Sequence, residues 1–149
     1  MTTEDFWALI ATIDVSALDN GDEEGAVFPL QSALTGKQES ELEAFEEHLS
    51  RFLYNLDGEV FANHAGESGD SDDGFLYARC YVVAKGKTYF ESVVAAPEKM
   101  PNSIDKWCEA LLYSHRHAWA ETTGRDISEW AFDASVSYES GSNPDLWPN

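Results

Sequence analysis

One helical domain is the architecture this sequence predicts over most of its length, and three observations predict it. The run from Gly36 to Leu56 places Leu42, Phe45, Leu49, Phe52, Leu53 and Leu56 on a single stripe at helical spacing. Residues suited to capping helix N-termini stand ahead of apolar-periodic stretches near Thr2, Thr35 or Ser40, and Ser103. The chain has 149 residues, 43% of them apolar and 13% aromatic, enough to bury one core without disulfides or a metal.

The first helix is expected from Glu4 to about Thr12. Thr2 or Thr3 can accept from its free N–H groups, and Glu4 and Asp5 complement the positive end of its dipole. Phe6, Ile10 and Ile13 follow at helical spacing, with Trp7 widening the stripe. Asp19 to Gly25 reads as a solvated acidic loop, followed by a short helix or turn with Val27, Leu30 and Leu34 on one side. In the Gly36–Leu56 helix, Thr35 with Gln38 or Ser40 with Glu43 offers a capping box, and Glu39, Glu43, Glu46 and Glu47 fall on the arc opposite the apolar stripe. Val60 and Phe61 extend the apolar pattern, and Gly66 to Asp70 has the composition of a loop.

The middle of the chain fits two readings. Phe75 to Val83 and Thr88 to Val94, separated by Lys85-Gly86-Lys87, are rich in aromatic and β-branched residues, as in a β-hairpin. Two helices fit equally: Ser71 or Asp72 caps the first, Gly86 stops it, Thr88 with Glu91 boxes the second, and Pro97 ends it. Beyond, Ser103 is expected to cap a long helix to Thr123, with Ile104, Trp107, Cys108, Leu111, Ala118 and Trp119 inward and Gly124 as its stop. Residues 125–149 form an irregular tail, expected to pack on the 1–124 helical domain through Trp130 and Trp147.

The run Ser71-Asp72-Asp73-Gly74-Phe75-Leu76-Tyr77-Ala78-Arg79-Cys80-Tyr81-Val82-Val83-Ala84-Lys85-Gly86-Lys87 resembles the central block of a bacterial family, domain of unknown function 4240. Asp5 to Ile10 is similar to that family's N-terminal Phe-Trp helix. Leu42 to Glu46 resembles its helix before the Ser-Asp-Asp block, and Ala96-Pro97 the step after it. The likeness spans Thr3 to Gly124. The chain departs from the pattern at Ala78, where an aromatic is expected, and in the acidic loop from Asp19 to Gly25. The resemblance implies a mostly helical domain, which turns the middle segment toward two helices. The expected fold is then all-α, five to seven helices. The resemblance implies no activity.

Charge is the strongest functional signal. Eighteen of the twenty-eight acidic residues lie in the first seventy-three positions, where only Lys37 and Arg51 oppose them. That stretch therefore carries about −16 of the formal −19. A lopsided acidic field speeds encounter with basic partners and repels nucleic acid and anionic lipid. Nine bases against twenty-eight acids disfavour direct nucleic-acid binding, although carboxylates can stand in for phosphates in a DNA mimic. No stretch approaches the roughly 20 apolar residues of a membrane span. The opening Met-Thr-Thr-Glu-Asp has no basic region or apolar run, so no secretory signal is expected. Cys80 and Cys108, far apart in apolar company, suit buried reduced thiols in the cytoplasm, with a single disulfide as the alternative.

No motif carries chemistry. Asp70 and Asp72 suggest the start of an EF-hand, but the glycine is misplaced and no glutamate closes a twelve-residue loop. Ser71, Asp72 and Asp73 read as a helix cap with dipole-complementing acids, one of them paired to Arg79; the same four residues are the candidate polar cluster of a ligand-binding domain. His115 and His117 are two apart and diverge on a helix, His48 and His64 have no partner spacing, and no zinc or nucleophile motif is present. No metal, cofactor or catalytic residue is expected. The leading reading is an acidic, non-enzymatic protein that masks a basic protein partner, such as an immunity protein neutralising a toxin. The alternatives are a small enzyme or ligand-binding domain using the Ser71–Asp73 loop, and a protein whose charge only keeps it soluble. Its contact acids are drawn from Asp19, Asp22, Glu23 and Glu24, from Glu39, Glu43, Glu46 and Glu47, and from a second patch of Asp70, Asp72 and Asp73. Phe28 and Tyr54, near those acids, are candidate anchors.

Overall fold

Thr2 accepts from the Asp5 N–H while Asp5 accepts from the Thr2 N–H, and this reciprocal box starts α1, Thr3–Ile10. In the computed structural model, which describes residues 1–148, seven further α-helices follow. They are α2 (Val15–Asp19), α3 (Glu23–Leu34), α4 (Glu39–Asn55), α5 (Glu59–Ala62), α6 (Asp72–Ala84), α7 (Lys87–Ala95) and α8 (Ser114–Thr123). Four 3₁₀ turns, Gly66–Asp70, Pro97–Lys99, Glu109–Tyr113 and Ile127–Glu129, complete the described structure, which has no strand. The chain is all-α.

The central layer is α6. Every residue from Gly74 to Ala84 except Tyr77 is buried, because α4 and α7 and the Gly66–Asp70 and Glu109–Tyr113 turns pack around it. A helix buried on all sides has no polar face, so its sequence shows a continuous apolar run instead of a stripe. The hairpin alternative for residues 75–94 is thereby removed. Lys85 closes α6, and Gly86, at φ +106, opens α7 in its place. Neither the Thr88–Glu91 pair nor any other side chain caps α7.

α4 lies between α6 and α8, and α3 packs on α8 and α2. α4 begins at Glu39 after an uncapped Gln38, so neither expected capping box operates there. Thr35 instead donates its hydroxyl to the Gln31 carbonyl at the end of α3. Phe6, Trp7, Phe45, Phe52 and Phe90 form an aromatic cluster that joins α1, α4 and α7, with Trp7 and Phe52 centroids 4.7 Å apart. Buried area of this kind supplies most of the drive to fold.

Two stretches depart from the expected elements. The acidic loop Asp19 to Gly25 is largely helical: Asp14 caps α2, and Asp22 caps α3 by accepting from the Gly25 N–H. A Cβ at Gly25 would sit 2.2 Å from Asp22 Oδ2, so a larger residue there would push the capping carboxylate aside. These additions bring the helix number to eight. The long helix expected from Ser103 to Thr123 is confined to α8, preceded by irregular chain and the Glu109–Tyr113 turn. Tertiary bonds displace it: the Cys108 N–H donates to the Tyr77 carbonyl and Trp107 Nε1–H to Ser68 Oγ. Ile104, expected inward, is 52% exposed. Gly124, at φ +73, does stop α8.

Beyond α8 the chain wraps back over α4 and α6 as an extended strap. From Glu129 to Gly141 its residues alternate between exposed and half-buried, the period of an extended chain lying on a surface. Trp130, Tyr138, Leu146 and Trp147 pack against the helical core.

Candidate functional site

The N-terminal half of α3 faces the Glu109–Tyr113 turn across an open groove of about 820 Å³. Asp22, Glu23, Glu24 and Glu109 line it with Val27, Phe28, Gln31, Tyr113 and His117, and no lysine or arginine does. Phe28 is 63% exposed, an unusual position for a phenylalanine in a chain that buries Phe6, Phe45, Phe61, Phe75 and Phe90. Glu23 accepts from the Ala110 N–H at 3.2 Å, which ties the two walls together. Burial, then the nearby Glu109 carboxylate, pushes the Tyr113 hydroxyl above its ordinary range. Carboxylates around an exposed ring suit a basic side chain: the alkyl stem of a lysine or the guanidinium plane of an arginine stacks on the ring while its charge meets the acids.

Of the acids expected to face a partner, Asp22, Glu23 and Glu24 gather in this groove. The others are dispersed, and several are spent internally. Asp19 accepts from the Tyr81 hydroxyl at 2.8 Å and from Lys85, which hold its carboxyl below the usual range. Glu39 accepts from Trp119 Nε1–H at 2.6 Å. Glu47 takes the Ser135 N–H and hydroxyl and pairs with Arg51; burial opposes ionisation, but these bonds bring its pKa down to about 2. Glu46 corrects the helix-face reading outright. It is 3% exposed, and its Oε1 accepts from His115 Nε2 at 2.7 Å, Arg116 at 3.0 Å and Trp130 Nε1–H at 3.0 Å. Outside the groove, Glu43, half-buried, and the exposed Asp70, Asp72 and Asp73 are the expected acids that form no side-chain ion pair or bond to a side-chain donor.

Glu46 and His115 are a coupled buried pair. Burial favours the neutral carboxyl, yet the His115 bond and the Arg116 charge outweigh it, so Glu46 titrates below its usual range. Burial pushes His115 down, so at neutral pH it is uncharged and donates from Nε2, leaving Nδ1 without a partner.

Ser71 spends its hydroxyl accepting from the Gly74 N–H at 3.0 Å, and Asp72 and Asp73 occupy the first turn of α6. Arg79 does not pair with either. It is fully buried, stacked 4.7 Å from the Phe75 ring, and donates to the carbonyls of Leu53 and Tyr138 and to Ser140 Oγ. Cys80 and Cys108 are free and buried. Burial raises the Cys80 thiol well above its ordinary value and brings Cys108 to about 12, so neither is a nucleophile at neutral pH. Among the described residues no group of three or more His, Cys, Asp or Glu side chains is placed to hold a metal, and no helix is long and apolar enough to cross a membrane.

With α1, the Ser71-capped α6 and the Pro97 step all in place, the fold carries the features of one family. The chain belongs to the family described as protein of unknown function (DUF4240), whose model matches residues 1–133. No curated protein and no solved structure matches it. The DUF4240 match takes in all eight helices and the α3 groove and ends within the strap, before Tyr138. Sequence reasoning missed Glu109, Tyr113 and His117 as groove residues, because they reach Phe28 only through the packing of α3 on α8. It also missed Asp57, whose fully buried carboxylate meets the strap. A lone aspartate between Leu56 and Gly58 gives no periodic signal.

Proposed function

We propose that this DUF4240 protein is a non-enzymatic acidic binding protein that masks a basic protein partner, in its concrete form an immunity protein neutralising a toxin with a cationic surface. The observation that supports this reading is Phe28, 63% exposed in a groove lined by Asp22, Glu23, Glu24 and Glu109 and by no lysine or arginine. Carboxylates at the rim steer the partner in, and the ring supplies contact area that slows its departure.

The test is affinity capture from the source cell's lysate at low and raised salt, run in parallel with a Glu24→Lys/Phe28→Ala double variant. Glu24 and Phe28 form no internal polar bond, so the variant keeps the fold. A basic protein held by the wild type at low salt, lost as screening shortens the field and lost by the variant, is the expected result. Equal retention by the variant, or no basic protein at either salt, refutes the proposal.

A further inference from the structure

We propose that Asp57, Gly58, Phe75 and Arg79 form a peptide-binding cleft that reads main-chain groups, and that residues 138–147 occupy it as a ligand supplied in cis. Each wall of the cleft belongs to the helical body, and its polar groups turn to the strap. Asp57 is fully buried at the end of α4, and all four of its side-chain hydrogen bonds come from the strap. Oδ1 accepts from the Gly141 N–H at 2.9 Å and Trp147 Nε1–H at 2.8 Å, and Oδ2 from the N–H groups of Ser142 at 2.7 Å and Asn143 at 3.0 Å. Arg79 provides the complementary half. One of its terminal nitrogens binds the Leu53 carbonyl, and the other the Tyr138 carbonyl at 3.0 Å and Ser140 Oγ at 2.9 Å.

A carboxylate for peptide N–H groups and a guanidinium for peptide carbonyls make a site that recognises a backbone. The helix ends extend it. The Tyr54 carbonyl, at the end of α4, accepts from Asn143 Nδ2, and the Glu59 N–H, at the start of α5, donates to the Leu146 carbonyl. The Glu59 N–H is one of the donors a helix leaves unsatisfied at its start, and here the strap satisfies it; the Tyr54 carbonyl, which already accepts from the Asp57 N–H, takes its second bond from the strap. Side-chain selection comes from two places. Leu146 sits over Gly58, where an added Cβ would lie 2.6 Å from Leu146 Cβ, and Trp147 meets the Phe75 ring edge-on at 6.0 Å.

Three features mark the strap as a ligand in this cleft. It has no helix or strand of its own between residues 130 and 148, and it lies on the body with the alternating burial of an extended chain. The cleft is built within residues 1–133 that match the family, and the segment filling it lies beyond them. Arg79 Nε is buried without an acceptor, so the cis segment does not saturate the site. A buried ion stripped of its partners is costly, so the cleft stays filled: by this segment, or by a peptide of the same Ser-Gly-Ser-Asn-x-x-Leu-Trp character.

The test uses the full chain with a specific protease site inserted between Asp133 and Ala134 and cut after folding. A fluorescent synthetic peptide of residues 134–149 is then added, and binding is followed by anisotropy and far-UV circular dichroism. The expected result is exchange of the labelled peptide into the cut protein, competed by unlabelled peptide, with helicity unchanged. A Trp147→Ala peptide should bind roughly thirtyfold more weakly or worse, and an Asp57→Asn body at least about tenfold more weakly. Where the Asp57→Asn body fails to fold, the peptide variant alone decides, because it leaves the body untouched. Loss of helicity on cutting, no exchange of the labelled peptide, or equal binding of the Trp147→Ala peptide overturns the proposal by showing the segment to be an inseparable part of the fold.

Discussion

The strap face and the α3 groove are both acidic, and they use their carboxylates in opposite ways. Under the strap, Asp57 and Glu46 are buried, and each accepts several internal hydrogen bonds: four tail donors for Asp57, and donors from His115, Arg116 and Trp130 for Glu46. In the α3 groove, Glu24 and Glu109 stand beside an exposed Phe28 with no lysine or arginine in the lining. A buried carboxylate is held by its bonds and contributes to the structure by not being left alone. A rim carboxylate contributes almost nothing to folding and keeps its field for other molecules. The −19 formal charge is therefore a poor measure of what a partner meets; the state of satisfaction of each acid is the better one.

The largest expected effect comes from removing the strap's central acceptor. Asp57→Ala leaves three N–H groups and an indole N–H without a partner and removes the carboxylate that most favours the Arg79 charge. Urea denaturation should show a loss of about 3–5 kcal/mol. A loss within about 0.5 kcal/mol, the scale of a surface change, would dissolve the contrast between the two faces.

A second effect, smaller and pH-dependent, belongs to the Glu46–His115 pair. His115 titrates lower in the folded protein than in the unfolded chain. Below about pH 6.5 the unfolded chain therefore takes up a proton that the folded protein refuses, and stability falls with pH. Glu46 is also depressed. Its contribution is complete above its unfolded value of about 4.3 and is lost as pH falls through its lower folded value. Thermal melts should show stability declining in two stages on acidification. His115→Gln should flatten the upper stage; Glu46→Gln should reduce the lower one, to which Glu47 and Asp19 also contribute, while costing about 2 kcal/mol at pH 7. An unchanged upper stage in His115→Gln would show that another group titrates there.

How much of this was legible depended on how local the cause was. The Thr2, Ser71 and Gly124 caps were readable because a cap is decided within four residues. The α4 stripe was readable because one face meets the core and the other does not. α6 was not decided by pattern, since burial on every side erases periodicity. The Ser103–Thr123 helix failed where Cys108 and Trp107 bond to Tyr77 and Ser68, residues far off in sequence. Glu46 failed for the same reason. Its place opposite the apolar stripe was read correctly, but α8 and the strap cover that arc. In the groove, Phe28 and the α3 acids were visible as neighbours in sequence, whereas Glu109 joined them only through the fold.

The smallest effect on folding should come from the groove, and it sharpens the contrast most. Phe28→Ala changes an exposed side chain that bonds to nothing else in the chain and should shift stability by no more than about 0.5 kcal/mol. Glu24→Lys, which puts a positive charge in the first turn of α3, should cost about 1 kcal/mol. Their larger consequences should appear only with a partner present, and should differ in kind. Glu24→Lys, which replaces an attractive charge with a repulsive one, should slow association and make its rate less sensitive to salt. Phe28→Ala removes contact area without altering the field, so it should quicken dissociation, weakening binding by about 2 kcal/mol if the ring is an anchor. Surface plasmon resonance against the captured basic protein separates the two rates. An unchanged dissociation rate in Phe28→Ala would leave the groove acidic but without an anchor, and would move the contact to the exposed Asp70, Asp72 and Asp73 that flank the Ser71 cap of α6.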